Sequence, residues 1–473
     1  MPELIDNTII TKDESFRDRI STVDEKGRRK WMYPKKQTGK FYLLRNIFGY
    51  VLLTVLFITP FIKINGEPIF LLDVVHRKFI IFTRVFYPQD FFYFGLLMIA
   101  FVIFIALFTV VFGRLFCGWA CPQTIFMELI YRKIEYWIEG DWKEQMALNK
   151  QSMNFTKFWK KTLKHFLFLS VAFIISNLFL SYLIGIDELK KLATEGITEH
   201  LAGFSTLVAF SLAFYGVFAF LREQVCTNIC PYGRLQGVLL GKDTLVIAYD
   251  YIRGEPRGKF KKNEDRKQAG KGDCIDCKQC VYVCPTGIDI RNGTQLECIN
   301  CALCIDACNF MMESVGLPKG LIKYATEYQI KENLPYRLTT RAKGYILVLL
   351  VLIGIIGLLL MKRPTVDGTI LRSYGYLTET TKDGKIKNLY TYKLLNKSNK
   401  PQKVNIELIE PNGEIQMVGH LPIIEKEGYI EGSFFVILDK SNIKGLKTPI
   451  VIGVFDEQHQ LIKKYTTNFL SFQ

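Results

Sequence analysis

Histidine is scarce in this chain, with five among 473 residues, and only His165 lies inside a long apolar run. A bis-histidine membrane haem needs two facing imidazoles, which argues against a b-type cytochrome. His165 is expected at a membrane interface beside Lys161 and Lys164. His76 and His200 fall in polar connections, as solvated rings rather than copper contacts. Glycine-rich phosphate loops are missing too. KGDCID and YIRGEPRGK lack the strand and the spacing of a dinucleotide fingerprint, so no flavin or nicotinamide site is expected. The first 40 residues hold no apolar stretch of the kind a cleavable signal needs, and they read as a mixed-charge tail ending in GRRKWMYPKKQTGK. Acidic residues are in the minority, 45 against 61 Lys and Arg, for a net charge of +16. The basic residues flank apolar runs, so the expected partner is a lipid bilayer and not nucleic acid.

Apolar length is abundant. Hydrophobic residues make up 49% of the chain. Five segments are long enough to cross a bilayer, at roughly 20 residues per span: about 41–62, 91–113, 163–186, 202–221 and 342–361. Arg45, near the start of the first, is expected to snorkel to the interface. The connections 114–162 and 222–341 are basic, as is the tail, whereas DELKKLATEGITEH after the third span holds four acids against two lysines. Lys and Arg gather on the inner side. Residues 1–40, 114–162 and 222–341 should therefore face the cytoplasm, and 63–90, 187–201 and everything after 362 should face outward. The mildly basic 63–90 dissents from this rule.

Eight of the 12 cysteines crowd into GDCIDCKQCVYVCPTGIDIRNGTQLECINCALCIDACNF, residues 272–310. Cys274, Cys277, Cys280 and Cys284-Pro285 form C-x2-C-x2-C-x3-C-P. Cys298, Cys301, Cys304 and Cys308 repeat the spacing with Asn309 in place of the second proline. In such runs three thiolates wrap one face of a cubane and the fourth ligates the other cluster. One [4Fe-4S] cluster is therefore assigned to Cys274, Cys277, Cys280 and Cys308, the other to Cys284, Cys298, Cys301 and Cys304. Zinc sites use paired C-x2-C rather than triplets, and disulfides are disfavoured on a reducing side. With no flavin or nicotinamide site expected, the electron donor is an unnamed partner or a quinol.

The other four cysteines form a second repeat. Cys117-GWA-Cys121-Pro122 follows the second span and Cys226-TNI-Cys230-Pro231 the fourth. Each has an arginine just beyond the apolar run (Arg114, Arg222) and a glutamine after it (Gln123, Gln236). On a continuing helix, C-x3-C places both sulfurs on one face. Two such pairs meeting across an interface offer four soft ligands, suited to Cu(I), to an iron–sulfur centre or to a redox disulfide. Buried apolar cysteines in a helix pair are the plainer alternative.

Residues 365–473 hold no cysteine and alternate at NLYTYKLLNKS, KVNIELIE, GSFFVILD and TPIVIGVFD. This pattern predicts a β-sandwich of immunoglobulin type. The expected architecture is a multi-domain membrane protein: a tail (1–40), a membrane domain carrying the Cys-x3-Cys-Pro elements (41–241), a bacterial-type two-cluster ferredoxin domain (242–341), a fifth transmembrane helix (342–361) and the sandwich (365–473).

Taken together, CGWACPQT, CTNICPYGRLQG, the double ferredoxin motif, the final span and the tail carrying NLYTYKLLNKSNKP resemble the cytochrome c oxidase accessory proteins of the CcoG/FixG/RdxA group. The membrane half is also similar to NapH-type quinol dehydrogenase subunits. The first resemblance implies a membrane-bound polyferredoxin of the bacterial inner membrane, with clusters and N-terminus cytoplasmic and the sandwich periplasmic. It implies a part in assembling the cbb-type oxidase by reducing Cu(II) to Cu(I), with Cys117, Cys121, Cys226 and Cys230 as candidate copper or redox thiolates. Oxidase subunits, copper chaperones and a second copy of the chain are the partners it suggests. It also implies that Asn309 leaves the loop at Cys308 less rigid. A quinol-oxidising redox subunit and a non-enzymatic assembly scaffold are the other expected functions.

Overall fold

The computed structural model describes residues 22–471, apart from 24–25, 27, 65, 75–77, 82–83, 195–200, 263, 376–377, 382–383, 399, 420–422 and 427. Most of the expected tail, together with His76 and His200, lies outside the described residues. The chain forms two compact units, one of residues 1–59, 95–181 and 185–353, the other of residues 60–94, 182–184 and 354–473.

Among the described residues, five helices are long and apolar enough to cross a membrane: Lys40–Phe61, Phe91–Phe112, Phe155–Ile184, Leu201–Leu221 and Thr340–Met361. The third begins well before its apolar run. Asn154 caps it by accepting a hydrogen bond from the Lys157 N–H at 2.8 Å, and the lysine-rich turns that follow are good helix formers. In the first unit, Tyr131 stacks on Phe218 (centroids 4.5 Å apart) and meets Phe168 edge-on at 4.7 Å. These fully buried rings centre an aromatic core among the third span, the fourth span and the segment after the second.

The cysteine-rich segment folds around two short helices, Gln279–Tyr282 and Leu303–Ser314. A two-stranded antiparallel ribbon of Val246–Tyr249 and Ile322–Ala325 closes it. Its core mixes Ile247, Ile275, Ile305, Met312 and Leu321 with the cysteines themselves. Asn309 does not sit in a loop as expected. The helix runs through Cys308 to Ser314, because no proline stops it, and the Asn309 side chain accepts from the Gly320 N–H at 2.9 Å.

The second unit holds an immunoglobulin-like sandwich. One sheet orders Glu414–Val418, Tyr429–Leu438, Ile386–Asn396 and Val366–Arg372, and the other Asn405–Glu410, Lys447–Phe455 and Leu461–Leu470, all antiparallel. Alternate residues point inward, so that Tyr390, Leu394, Phe434, Val436, Ile450, Ile452, Val454 and Phe469 are fully enclosed. Tyr390 keeps its hydroxyl satisfied by donating to the Asn468 carbonyl at 2.9 Å. Residues 63–90, expected only as a connection, carry a small meander of Phe70–Asp73, Lys78–Ile81 and Arg84–Phe86. Strands of three or four residues are too short for periodicity to announce. Asp90, at the end of this stretch, forms a buried ion pair with Lys397 (2.7 Å), which also reaches Asp367 (2.8 Å).

Candidate functional site

Both ferredoxin motifs bend the backbone in the same uncommon way. Asp276 and Lys278 around Cys277 adopt positive φ (52° and 56°), and Asn300 and Ala302 around Cys301 do likewise (53° and 65°). Non-glycine residues enter this region at a cost of about 1 kcal/mol or more each, and they do so where successive N–H groups must converge on an anion. The N–H groups are used accordingly: hydrogen bonds reach the Cys277 sulfur from Gln279, the Cys298 sulfur from Asn300, the Cys301 sulfur from Leu303 and the Cys308 sulfur from Ile322.

The fold gathers the eight thiols into two sets. Cys308 lies within electrostatic reach of Cys274 and Cys277, and Cys280 of Cys277 and Cys308. Cys304 lies within reach of Cys301, Cys298 and Cys284, and also of Cys280, where the two sets adjoin. Cys284, Cys298, Cys301 and Cys304 also line one cavity, together with Cys280 of the first set and with Ile247, Ile288, Ile290 and Ile299. Among the described residues no three Cys, His, Asp or Glu side chains close on a point that a single ion would fill. Five thiols around an apolar cavity suit a multi-atom cluster better than a lone ion, and the donor set fits [4Fe-4S] groups. Burial pushes the Cys298 and Cys308 thiols up to about 12 and Cys301 to about 11. These sulfurs stay protonated unless iron displaces the proton. Buried Arg291 faces Cys280, and buried Arg45 faces Cys301.

The two C-x3-C-P elements do not run along a continuing helix, as the spacing suggested. Cys117 lies in the short helix Leu115–Trp119, and Cys121 is extended (φ −63°, ψ 125°) before Pro122–Phe126 begins. Cys226 lies in the π turn Val225–Ile229, and Cys230 is extended (φ −69°, ψ 112°) before Pro231–Leu239. The cause is proline, which drives the residue before it out of the helical region. Each second cysteine therefore sits at a helix start, and the Cys121 sulfur accepts from the Thr124 and Gln123 N–H groups.

The two elements face each other and exchange contacts. Arg114 of the first donates to the Gln236 side chain of the second at 3.2 Å, while Gln123 of the first donates to the Arg222 carbonyl of the second at 3.3 Å. The Cys117 thiol also donates to Gln236, at 3.1 Å. Cys226 consequently lies within electrostatic reach of Cys117, Cys121 and Cys230. Burial pushes Cys117 up to about 11 and Cys226 up to about 12, against the pull of Arg114. All twelve cysteines are free of disulfides.

This third set of thiols abuts the cysteine-lined cavity. Cys117 shares one packed cluster with Ile299, Cys301, Leu303 and Cys304. Gly118 is pressed so closely on the ferredoxin motif that a Cβ there would stand 2.3 Å from the Ile299 carbonyl oxygen. Arg45 does not snorkel. It is buried, and its Nε donates to the Gly118 carbonyl at 2.7 Å, fastening this junction to the first span. A lone charge inside an apolar run was the signal for such a role. His165 accepts from or donates to the Tyr215 hydroxyl at 2.9 Å, a pairing across 50 residues that no local pattern announces.

A family model described as "4Fe-4S dicluster domain" matches residues 221–327, one described as "4Fe-4S binding domain" matches 94–143, and one described as "IG-like fold at C-terminal of FixG" matches 356–471. Protein RdxA of Cereibacter sphaeroides is 33% identical over 79% of this chain and 81% of its own length. Protein RdxB of the same organism is 34% identical over 83% of this chain and 85% of its own. Nitrogen fixation protein FixG of Rhizobium meliloti is 34% identical over 63% of this chain and 58% of its own.

Proposed function

Since the chain belongs to the FixG/RdxA family of iron–sulfur electron-transfer proteins, we propose that it is a cupric reductase serving assembly of a cbb-type cytochrome oxidase. Each [4Fe-4S] group, when reduced, supplies one electron. Cys274, Cys277, Cys280 and Cys308 would hold one, and Cys284, Cys298, Cys301 and Cys304 the other. The observation that carries this reading is the packing of Cys117 and Gly118 on Cys301, which puts four soft ligands next to an electron carrier. Copper is the substrate. One Cu(II) takes one electron from the neighbouring carrier and becomes Cu(I), which thiolates prefer. Each Cu–S bond formed releases a thiol proton to water. Arg114 balances charge between the two sets, since it faces Cys298 as well as Cys117 and Cys226. We place the clusters and these thiols at the cytoplasmic face of a bacterial inner membrane, with the sandwich outside as a docking element for oxidase subunits or copper chaperones.

The test uses full-length protein with intact clusters in nanodiscs, reduced with dithionite, freed of reductant and mixed with Cu(II) and a Cu(I)-trapping dye. Cu(I) should appear in step with cluster reoxidation, and Cys121→Ser with Cys226→Ser should slow it while iron content stays constant. Intact clusters that do not reduce Cu(II) would sink the reading. Oxidase assembly that survives joint replacement of Cys277 and Cys301 would favour a scaffold instead.

A further inference from the structure

A groove runs between the third and fourth spans. Its walls are Phe158, Phe166, Leu169 and Leu212 among others, and Lys161, His165 and Tyr215 supply its polar groups. Phe166 is 64% exposed and Leu212 53% exposed. Both belong to helices of membrane length, so the groove opens sideways onto hydrocarbon and an apolar occupant can enter from the bilayer. The polar groups describe the head of that occupant. His165 uses Nδ1 on the Tyr215 hydroxyl, and its Nε2 has no protein partner among the described residues. Lys161 is the cation of the lining, and buried Glu139 pairs with it at 2.8 Å while also holding Lys164 at 2.9 Å. A ring nitrogen and a phenol hydroxyl over an apolar floor suit a hydroxylated aromatic ring, and Phe220 extends that floor by stacking on His165 (centroids 6.3 Å, 20°).

Phe220 stands six residues before Cys226, along the turns that lead to the thiol set. We propose that this groove binds a membrane quinol and that His165 accepts a proton as the quinol is oxidised to quinone. Both O–H bonds break. One proton passes to His165 Nε2 and the other to water at the open edge, and the two electrons go one each to the two oxidised clusters. The proposal rests on the clusters as acceptors and not on copper as the final one.

The test is anaerobic, on full-length protein with its clusters in nanodiscs. A short-chain quinol analogue should bleach the cluster absorbance. His165→Ala should slow this by roughly a hundredfold, the usual worth of a positioned proton acceptor, and Leu212→Trp, which fills the groove from the lipid side, should slow it too. Dithionite should reduce all three proteins alike. A photoreactive azidoquinone should label peptides of the third and fourth spans in wild type, with less label in Leu212→Trp. Equal quinol rates in wild type and both variants would overturn the proposal, as would label that phospholipid displaces together with no bleaching. The Cu(II) assay on dithionite-reduced protein separates the two readings: its failure counts against copper alone, while failure of quinol bleaching counts against the groove alone.

Discussion

Arg222 and Glu135 have no water to fall back on. Both side chains are almost fully enclosed, and the guanidinium holds the carboxylate with both nitrogens, at 2.6 and 2.9 Å. Burial alone would raise the Glu135 carboxyl, but the Arg222 charge and hydrogen bonds prevail and hold it below the usual range. The sign follows. A carboxylate held low in the folded state adds stability above its unfolded value, and that stability is lost as pH falls through the folded value. Arg222→Gln removes the bidentate partner and leaves the buried carboxylate to Lys164 at 3.7 Å, and it should cost about 3 kcal/mol. Thermal unfolding in detergent should show this loss at neutral pH and a shrinking difference from wild type as the solution becomes more acid than the ordinary carboxylate range. Gly118 fails differently, by volume. The Cβ of Gly118→Ala would also stand 3.0 Å from the Cys301 Cα and N, so the junction must part. Overpacking of this kind costs roughly 1–3 kcal/mol, and here it should also slow Cu(II)-driven reoxidation of the clusters.

At the scale of the element, the two prolines decide where the thiols go. Pro122 and Pro231 end one helical segment and start the next, leaving Cys121 and Cys230 extended between them. In Pro122→Ala with Pro231→Ala the segments can join, and the second sulfur of each pair rotates with the helix. Cu(I) affinity, measured by competition with a chelating dye, should fall at least about tenfold, as when groups that orient metal ligands are lost. Iron content should not change. The same elements show what the chain makes legible. The cluster motifs are local, because three thiolates within seven residues oblige the same positive-φ turns in both copies. The spans are legible by length alone, and the sandwich by its alternation. The Arg114–Gln236 and Gln123–Arg222 exchange is not, since each contact joins residues about a hundred positions apart, although the repeated arginine and glutamine hinted at it. The extended cysteines follow from the prolines, whose clash with the preceding residue overrides the helical C-x3-C spacing.

At the scale of the molecule, the two units have separate cores of opposite dependence. The sandwich core is made wholly of residues between Val366 and Phe469, and this stretch has no cysteine. The ferredoxin-type core packs its apolar side chains around the thiols themselves, so removing iron leaves polarisable sulfurs lining an unfilled space. Bound metal that a folded state alone can hold is folding free energy. Oxidative loss of the clusters should therefore lower the melting of the first unit and leave that of the second in place. The two can be followed separately, because all five tryptophans (Trp31, Trp119, Trp137, Trp142 and Trp159) belong to the first unit and none to the second. Tryptophan emission should show an earlier transition after cluster loss, while hydrogen-exchange protection of the sandwich strands is lost at an unchanged midpoint. A common shift of both signals would mean that the two units unfold as one cooperative body, and that the clusters stabilise the sandwich as well as the membrane-bound core.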